Sequence, residues 1–100
     1  MVSRGYPDIW TILVSDRAME KEFRMMEAWE IRNRLRNFVG ILYEDRAEGG
    51  YHLTTDAHGR DLAIVFVLEG DEPPYTAQVV TQMHQKDDYE DTDRYERVIR

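Results

Sequence analysis

Cysteine is absent from this 100-residue chain, so neither a disulfide scaffold nor a thiolate metal site can be built. Long apolar runs are missing too. The longest covers residues 62–68, far fewer than the roughly 20 residues that a membrane-spanning helix needs. The chain also does not open with the charged and apolar regions of a signal peptide. We therefore expect a cytoplasmic domain that does not enter a membrane.

Basic residues are scarce relative to acidic ones. The chain has 13 Lys and Arg against 20 Asp and Glu, a net charge of -7. A protein whose whole surface grips a phosphate backbone is thereby excluded. The length fits one domain with a single core. We assign that domain to residues 1–84 and treat residues 85–100 as a polar, acidic tail, which is either a short helix or a solvated end.

The charge is unevenly distributed along the chain. Residues 16–38 hold six basic and five acidic side chains, whereas residues 44–72 hold two basic and eight acidic ones. Only the predicted helical layer could therefore present a basic surface. Arg32 and Arg36 are four residues apart and would share one side of a helix there. An acidic partner or a phosphate is the ligand that such a pair would contact.

The first third of the chain is predicted to contain one strand and two helices. Residues 9–14 are mostly apolar and β-branched, as in a strand. Between residues 17 and 38 the apolar side chains form two stripes, offset by roughly 130° around a single helix axis. One straight helix would have to bury two sides. We therefore expect two helices with a break between Met26 and Ala28.

Turn residues divide the rest of the chain into strands. Residues 62–68 are apolar on both faces, which predicts a central strand buried on two sides. Residues 75–83 alternate, which places Val79 and Met83 on the buried face of a strand and Gln82 on the other face. The predicted strands after the helices cover residues 39–44, 51–57, 62–68 and 75–83.

The predicted order of elements is β-α-α-β-β-β-β. Consecutive strands joined by short turns indicate a mainly antiparallel sheet, and the two N-terminal helices should pack on one face of it. The fold class is therefore α+β with two layers. A further helix at the C-terminus could begin at Asp91 or Thr92 and carry Tyr95 on its apolar side.

Motifs of common enzymes are absent from the sequence. A Gly-rich phosphate loop, a nucleophile elbow and a metal-binding histidine pair are all missing. His52 and His58 would be about 20 Å apart in an extended strand, too far to share a metal ion. His84 would need a partner to act as a general base. We expect no metal site and no cofactor.

Four segments resemble a group of small bacterial domains related to the RelE and BrnT ribonuclease toxins. The segments are SDRAMEKEFR (residues 15–24), AWEIRNRLRN (residues 28–37), HGRDLAIVF (residues 58–66) and QVVTQM (residues 78–83). The resemblance implies a RelE-like architecture. It also implies a metal-independent ribonuclease site with Arg17, Arg24 and Thr81, helped by His84.

One residue departs from the pattern of that group. Arg17 stands where the toxins have a helix histidine. An arginine stays protonated, so it cannot be a general base near neutral pH. It can still stabilise the negative charge of a phosphoryl transition state. The resemblance therefore implies the fold more firmly than the activity.

Three hypotheses for the function follow. The first is a domain that binds another protein without efficient catalysis, with Arg32, Arg36, Trp29 and Tyr75 as candidate binding residues. The second is an RNA-cleaving domain of toxin type, which requires Arg17, Arg24 and Arg60 to converge on Thr81. The third is an acidic inhibitor that mimics nucleic-acid charge through residues 69–72 and the tail. An exposed apolar patch would favour the first hypothesis.

Overall fold

The computed structural model describes residues 5–99, which form one sheet with one helix packed on it. A single 3-10 turn, Arg17–Met19, lies between the first strand and the helix. The elements in these residues are β1 (Ile9–Val14), α1 (Ala28–Asn37), β2 (Ile41–Asp45), β3 (Tyr51–Ala57), β4 (Arg60–Glu69), β5 (Tyr75–His84) and β6 (Tyr95–Arg97). None of the described helical segments is long and apolar enough to cross a membrane.

The strands lie in the order β1-β5-β4-β3-β2-β6. Strands β2 to β5 form an antiparallel meander, and β6 pairs antiparallel with β2. The first strand differs, since it runs parallel to β5 with Ile12 opposite Ala77. The prediction of a mainly antiparallel sheet is confirmed. We call the side of the sheet that α1 covers the helix face and the opposite side the back face.

The prediction of two N-terminal helices is wrong, because the first of them does not form. Residues 17–27 instead make the 3-10 turn and an irregular loop. Gln82 of β5 explains this, since its side-chain oxygen accepts from the backbone N–H groups of Met25 and Met26, at 3.1 and 2.7 Å. Its amide nitrogen donates to the carbonyl oxygens of Ala18 and Met26. The backbone groups that a helix would pair internally are bonded to the sheet instead.

The second predicted segment does form a helix, α1. Its start is fixed by the backbone N–H of Glu27, which donates to a carboxylate oxygen of Glu30 at 2.9 Å, as in a capping box. Phe38 ends the helix in the left-handed conformation. Ile31 and Leu35 are fully buried against the helix face. Burial of side chains of this size contributes about 2 kcal/mol each relative to exposure.

The predicted C-terminal helix is also wrong. Residues 85–98, which we call the C-terminal segment, cross the back face and end in β6, where Tyr95 pairs with Asp45. Tyr89 and Tyr95 are both buried there, although the surrounding sequence is acidic. A short helix would place its apolar side chains on one side of its own axis. In the strand, Tyr95 lies on the back face and packs against His52 and Tyr89.

The core is divided between the two faces. On the helix face, side chains from α1, the loop of residues 17–27 and strands β1 to β5 form one apolar cluster. On the back face, a smaller cluster of tyrosines lies under the C-terminal segment. The fully buried large apolar side chains of the helix face are Met26, Ile31, Leu35, Leu42, Leu53, Leu62, Ile64, Phe66 and Val79.

Candidate functional site

The back face has one covered half, in which a histidine lies among three tyrosines. His52 of β3 is buried, and its Nδ1 lies 2.7 Å from the Tyr89 hydroxyl oxygen. The Tyr89 ring stacks on Tyr43 of β2 with centroids 4.8 Å apart. Tyr95 meets the His52 ring edge-on at 5.1 Å. These contacts hold the C-terminal segment on β2 and β3.

The pKa values of the histidine and of two tyrosines in this covered half are shifted toward the neutral forms. Burial lowers the pKa of His52 below its ordinary 6.5, although the nearby Asp45 carboxylate opposes the shift. Burial also raises the pKa of the Tyr89 hydroxyl. Burial and a hydrogen bond to the Glu90 carboxylate raise the pKa of Tyr43 to about 12. His52 and Tyr43 thus have polar partners, whereas the Tyr95 hydroxyl is buried without a hydrogen-bond partner.

An ion pair between a buried carboxylate and a partly exposed guanidinium closes the far side of the covered half. Arg94 donates from Nε and Nη2 to the two oxygens of Asp45, at 3.1 and 3.0 Å. The same carboxylate accepts the backbone N–H groups of Ala47 and Glu48. Hydrogen bonding to Arg94 lowers the pKa of Asp45 to about 2, even though burial opposes this. The pair fastens the turn after β2 to the C-terminal segment.

The other half of the back face is left bare. Ile12, Ala77 and Phe66 point into the helix-face core, so their neighbours along β1, β5 and β4 point to the back face. None of these neighbours is charged in the middle of the face. Leu13 is 47% exposed and Val67 is 37% exposed. The bare half comprises Thr11, Leu13, Val65, Val67, Thr76, Gln78 and Thr81.

Carboxylates stand at both ends of this bare half. Asp61 and Glu69, at the two ends of β4, share the back face with Val65 and Val67 and are exposed. Asp61 lies opposite Asp56 in the register of β3 and β4. A hydrogen bond between their side chains raises the pKa of Asp56. The bare half therefore has an uncharged centre and an acidic rim.

Strand β4 was expected to be buried on both sides, but on its back face the structure fully buries only Ala63. Leu62, Ile64 and Phe66 are inaccessible, whereas Val65 is half-buried and Val67 is exposed. The sequence alone could not distinguish these two faces, because both are apolar. The functional candidate Val67 was missed for that reason.

The residues of the predicted ribonuclease site have separate contacts. The guanidinium of Arg17 lies 4.9 Å above the Phe23 ring. Arg24 pairs with Glu27 at 3.6 Å. The Thr81 hydroxyl donates to the backbone oxygen of the next residue, on the opposite side of the sheet from the loop of residues 17–27. His84 and Arg60 are exposed at strand ends, and across residues 5–99 no hydrogen bond or ion pair joins any two of these site residues.

The predicted binding residues have different positions again. Arg32 and Arg36 donate to the carbonyl oxygens of Ile12 and Trp10, at 3.5 and 3.2 Å. The two arginines are four residues apart along α1, a rise of about 6 Å. The two carbonyls are two residues apart along β1, about 6.7 Å. The spacing of the arginines therefore matches that of alternate carbonyls on the outer edge of β1. Trp29 is 69% exposed on α1. Tyr75 lines a cavity on the helix face.

Comparison with known proteins identifies no relative. No protein-family model, no curated protein and no solved structure matches this chain. The similarity to the RelE and BrnT group therefore remains a prediction from four short sequence segments.

Proposed function

We propose that the protein acts by binding another protein, with the bare half of the back face as its docking surface. The observation that carries this proposal is the uncharged centre of that face. One residue in three of the chain is charged, yet the middle of the bare half has none. A patch whose centre lacks charged side chains and whose rim carries them is typical of protein interfaces.

The partner should present an apolar surface with basic residues around it. Asp61 and Glu69 flank the bare half, and the loop after β4 adds Asp71 and Glu72. The net charge of -7 extends this negative field beyond the patch. Complementary charge at the rim accelerates association and excludes partners of the wrong sign. A basic protein therefore fits this surface better than a second copy of the acidic chain.

The outer edge of β1 also favours docking on the bare half rather than on the edge itself. An open edge strand would invite a partner to add a strand to the sheet. Here Arg32 and Arg36 occupy the outer carbonyls of β1. Side chains of the bare half, rather than backbone groups of β1, should therefore make the contact.

A paired set of variants tests the proposal. Leu13→Glu combined with Val67→Glu places two carboxylates on the bare half. Val39→Glu, at an exposed valine just after α1, is the control. Proteins that wild type and the control both retain from a lysate of the source cells, and the double variant does not, would be purified. Their affinities would then be measured at two salt concentrations. We expect the double variant to bind at least about tenfold more weakly, and high salt to weaken wild-type binding.

Three results would overturn the proposal. The first is equal affinity of the double variant and the control for every partner. The second is a wild-type dimer that the double variant disrupts, because the occupant would then be a second copy. The third is RNA cleavage that Arg24→Ala and Thr81→Ala abolish, because it would support the ribonuclease hypothesis instead.

A further inference from the structure

The helix face holds a cavity of about 450 Å³ that neither α1 nor the core fills. It opens where the segment before β1 crosses the ends of β2 to β5. Leu68 and Val98 lie at its apolar side, and Pro73 stands at its rim. This volume is within the range of roughly 300–1,000 Å³ that small-molecule sites occupy. The cavity can therefore take a ligand group rather than a single water molecule.

Three tyrosines line the walls of the cavity, each from a different part of the chain. Tyr6 comes from the segment before β1, Tyr51 from the start of β3 and Tyr75 from the start of β5. Tyr51 stacks on Phe66 with centroids 5.3 Å apart, and Tyr6 packs on Phe38 at 4.6 Å. These contacts fix the two rings in place.

Tyr75, the third tyrosine of the cavity, is held by a backbone hydrogen bond. The backbone N–H of Tyr75 donates to the carbonyl oxygen of Asp8 at 2.7 Å, which joins the segment before β1 to β5. Tyr75 is half-buried at the cavity. The walls are therefore preorganised, which lowers the entropy cost of binding.

The charges at the cavity have one sign. Asp8 and Glu44 are among its lining residues, and no lysine, arginine or histidine is among those that the structure describes. Glu44 of β2 also lies directly opposite Glu96 of β6 in the sheet register. Two like charges in directly opposed positions destabilise a sheet. Within residues 5–99, neither carboxylate forms an ion pair that would relieve this repulsion.

We infer that this cavity is a binding site for an organic cation, an alkylated ammonium or a guanidinium group. Tyrosine rings attract such cations through their negative faces, and the carboxylates supply the opposite charge. A bound cation would also relieve the repulsion between Glu44 and Glu96. A bare metal ion fits less well, because no cluster of three metal-ligating side chains occurs in the described part of the chain. The cation is either a free small molecule or a side chain of a protein.

The site is distinct from the proposed docking surface. The cavity lies on the helix face, and the bare half lies on the opposite face of the same sheet. Failure of one proposal therefore leaves the other standing, because Leu13 and Val67 do not line the cavity.

Titrations followed by NMR of the 15N-labelled protein test the site. The probes are choline, arginine and a short peptide with one trimethyllysine, and the uncharged carbon isostere of choline is the reference. We expect saturable shifts at the amides of Glu44, Leu68 and Tyr75 with at least one cation and weaker shifts with the isostere. Response to choline or arginine alone would indicate a free ligand, and response to the peptide alone a protein side chain. Both results support the site.

Variants separate the two contributions to binding. Glu44→Gln removes one charge and should weaken binding about fivefold, whereas Glu22→Gln, on the distant loop, should leave it unchanged. Tyr75→Phe keeps the ring face and should retain binding, whereas Tyr75→Leu should lose about fivefold. Because Glu44 is at the surface of the sheet, the Gln variant should fold even if Tyr75→Leu does not. Absence of saturable shifts with every probe, or equal shifts with choline and its isostere, would overturn the proposal.

Discussion

His52 Nδ1 lies 2.7 Å from the hydroxyl oxygen of Tyr89, and this contact ties β3 to the C-terminal segment. The C-terminal segment, which this contact helps to hold, covers one half of the back face and leaves the other half bare. The covered half is closed by buried tyrosines, and the bare half keeps Leu13 and Val67 at the surface. The position of the proposed docking surface thus depends on how firmly the C-terminal segment is held.

Mild acid should loosen that segment. Burial holds the pKa of His52 below its ordinary 6.5. As the pH falls below 6.5, the unfolded chain therefore binds a proton that the folded chain does not, and stability declines. The slope of this contribution is at most about 1.4 kcal/mol per pH unit. Urea unfolding of wild type and His52→Gln at several pH values between neutral and mildly acidic would measure it.

The control for this experiment is His84→Gln, which changes an exposed histidine. We expect His52→Gln to flatten the pH dependence and His84→Gln to leave it as in wild type. An unchanged slope in His52→Gln would contradict the role of the buried imidazole.

Removal of Arg94 should destabilise the fold through Asp45. Arg94→Met leaves a buried carboxylate with only backbone partners, and such a loss costs several kcal/mol in a dry interior. Because the Arg94 side chain is 37% exposed, solvent screening should make the measured loss smaller than that. Asp45→Asn in the same background should recover part of it, as urea unfolding would show. Wild-type stability of Arg94→Met would contradict the assignment.

The same ion pair governs stability in strong acid. The pKa of Asp45 is lowered from 3.8 to about 2, so its contribution is complete above pH 3.8 and is lost as the pH falls through 2. Acid unfolding monitored by tyrosine fluorescence should therefore begin at higher pH in Arg94→Met than in wild type. Coincident acid transitions would argue against this linkage.

Gln82 should be among the most costly polar residues to replace. Gln82→Leu strands the backbone groups of residues 18, 25 and 26 inside the protein, and the expected loss is about 3 kcal/mol. Hydrogen exchange at the Met26 amide should become fast. Gln82→Glu keeps the acceptor but sets a buried carboxylate against the carbonyl oxygens of Ala18 and Met26, so it should cost at least as much. A stable Leu variant with a protected Met26 amide would refute the explanation given for residues 17–27.

Arg32 and Arg36 should protect the protein from aggregation more than they stabilise it. Replacing both with Ala exposes the carbonyl oxygens of Trp10 and Ile12 on an edge strand. We expect a change in unfolding free energy of less than about 1 kcal/mol, together with increased light scattering at high protein concentration. Asn33→Ala, on exposed surface of the same helix, is the control. Equal scattering of both variants would show that the edge is protected otherwise.

The strands could be predicted from the sequence because their patterns are local. Apolar and β-branched runs between turn residues placed β1 at Ile9–Val14 and β3 at Tyr51–Ala57, as in the structure. The loop of residues 17–27 could not be predicted, since its backbone partner is a side chain more than fifty residues away. Helical periodicity reports which residues are buried, and Met26 is buried without a helix.

The faces of β5 illustrate the same limit. Simple alternation placed Gln82 and Val79 on different faces of the strand. In the structure the register with β4 shifts at Val80, so that Thr81 pairs with Val65 and Val79 pairs with Phe66. This bulge brings Gln82 to the buried face. Of the candidate binding residues, Tyr75 was named from the sequence and lines the cavity. Leu13, Val67 and Glu44 were not named, because their surroundings are set by strands distant in sequence.

The parallel pairing of β1 with β5 also constrains how the chain folds. Ile9 pairs with Tyr75, so the first strand has no place in the sheet until the fifth has formed. Contacts of such sequence separation slow folding, because a long loop must close before they contribute. The meander of β2 to β5 can assemble first from local hairpins. During synthesis, the apolar side chains of β1 should therefore stay exposed to solvent until β5 has been made. The docking of β1 onto the preformed sheet should then be a slow final step of folding.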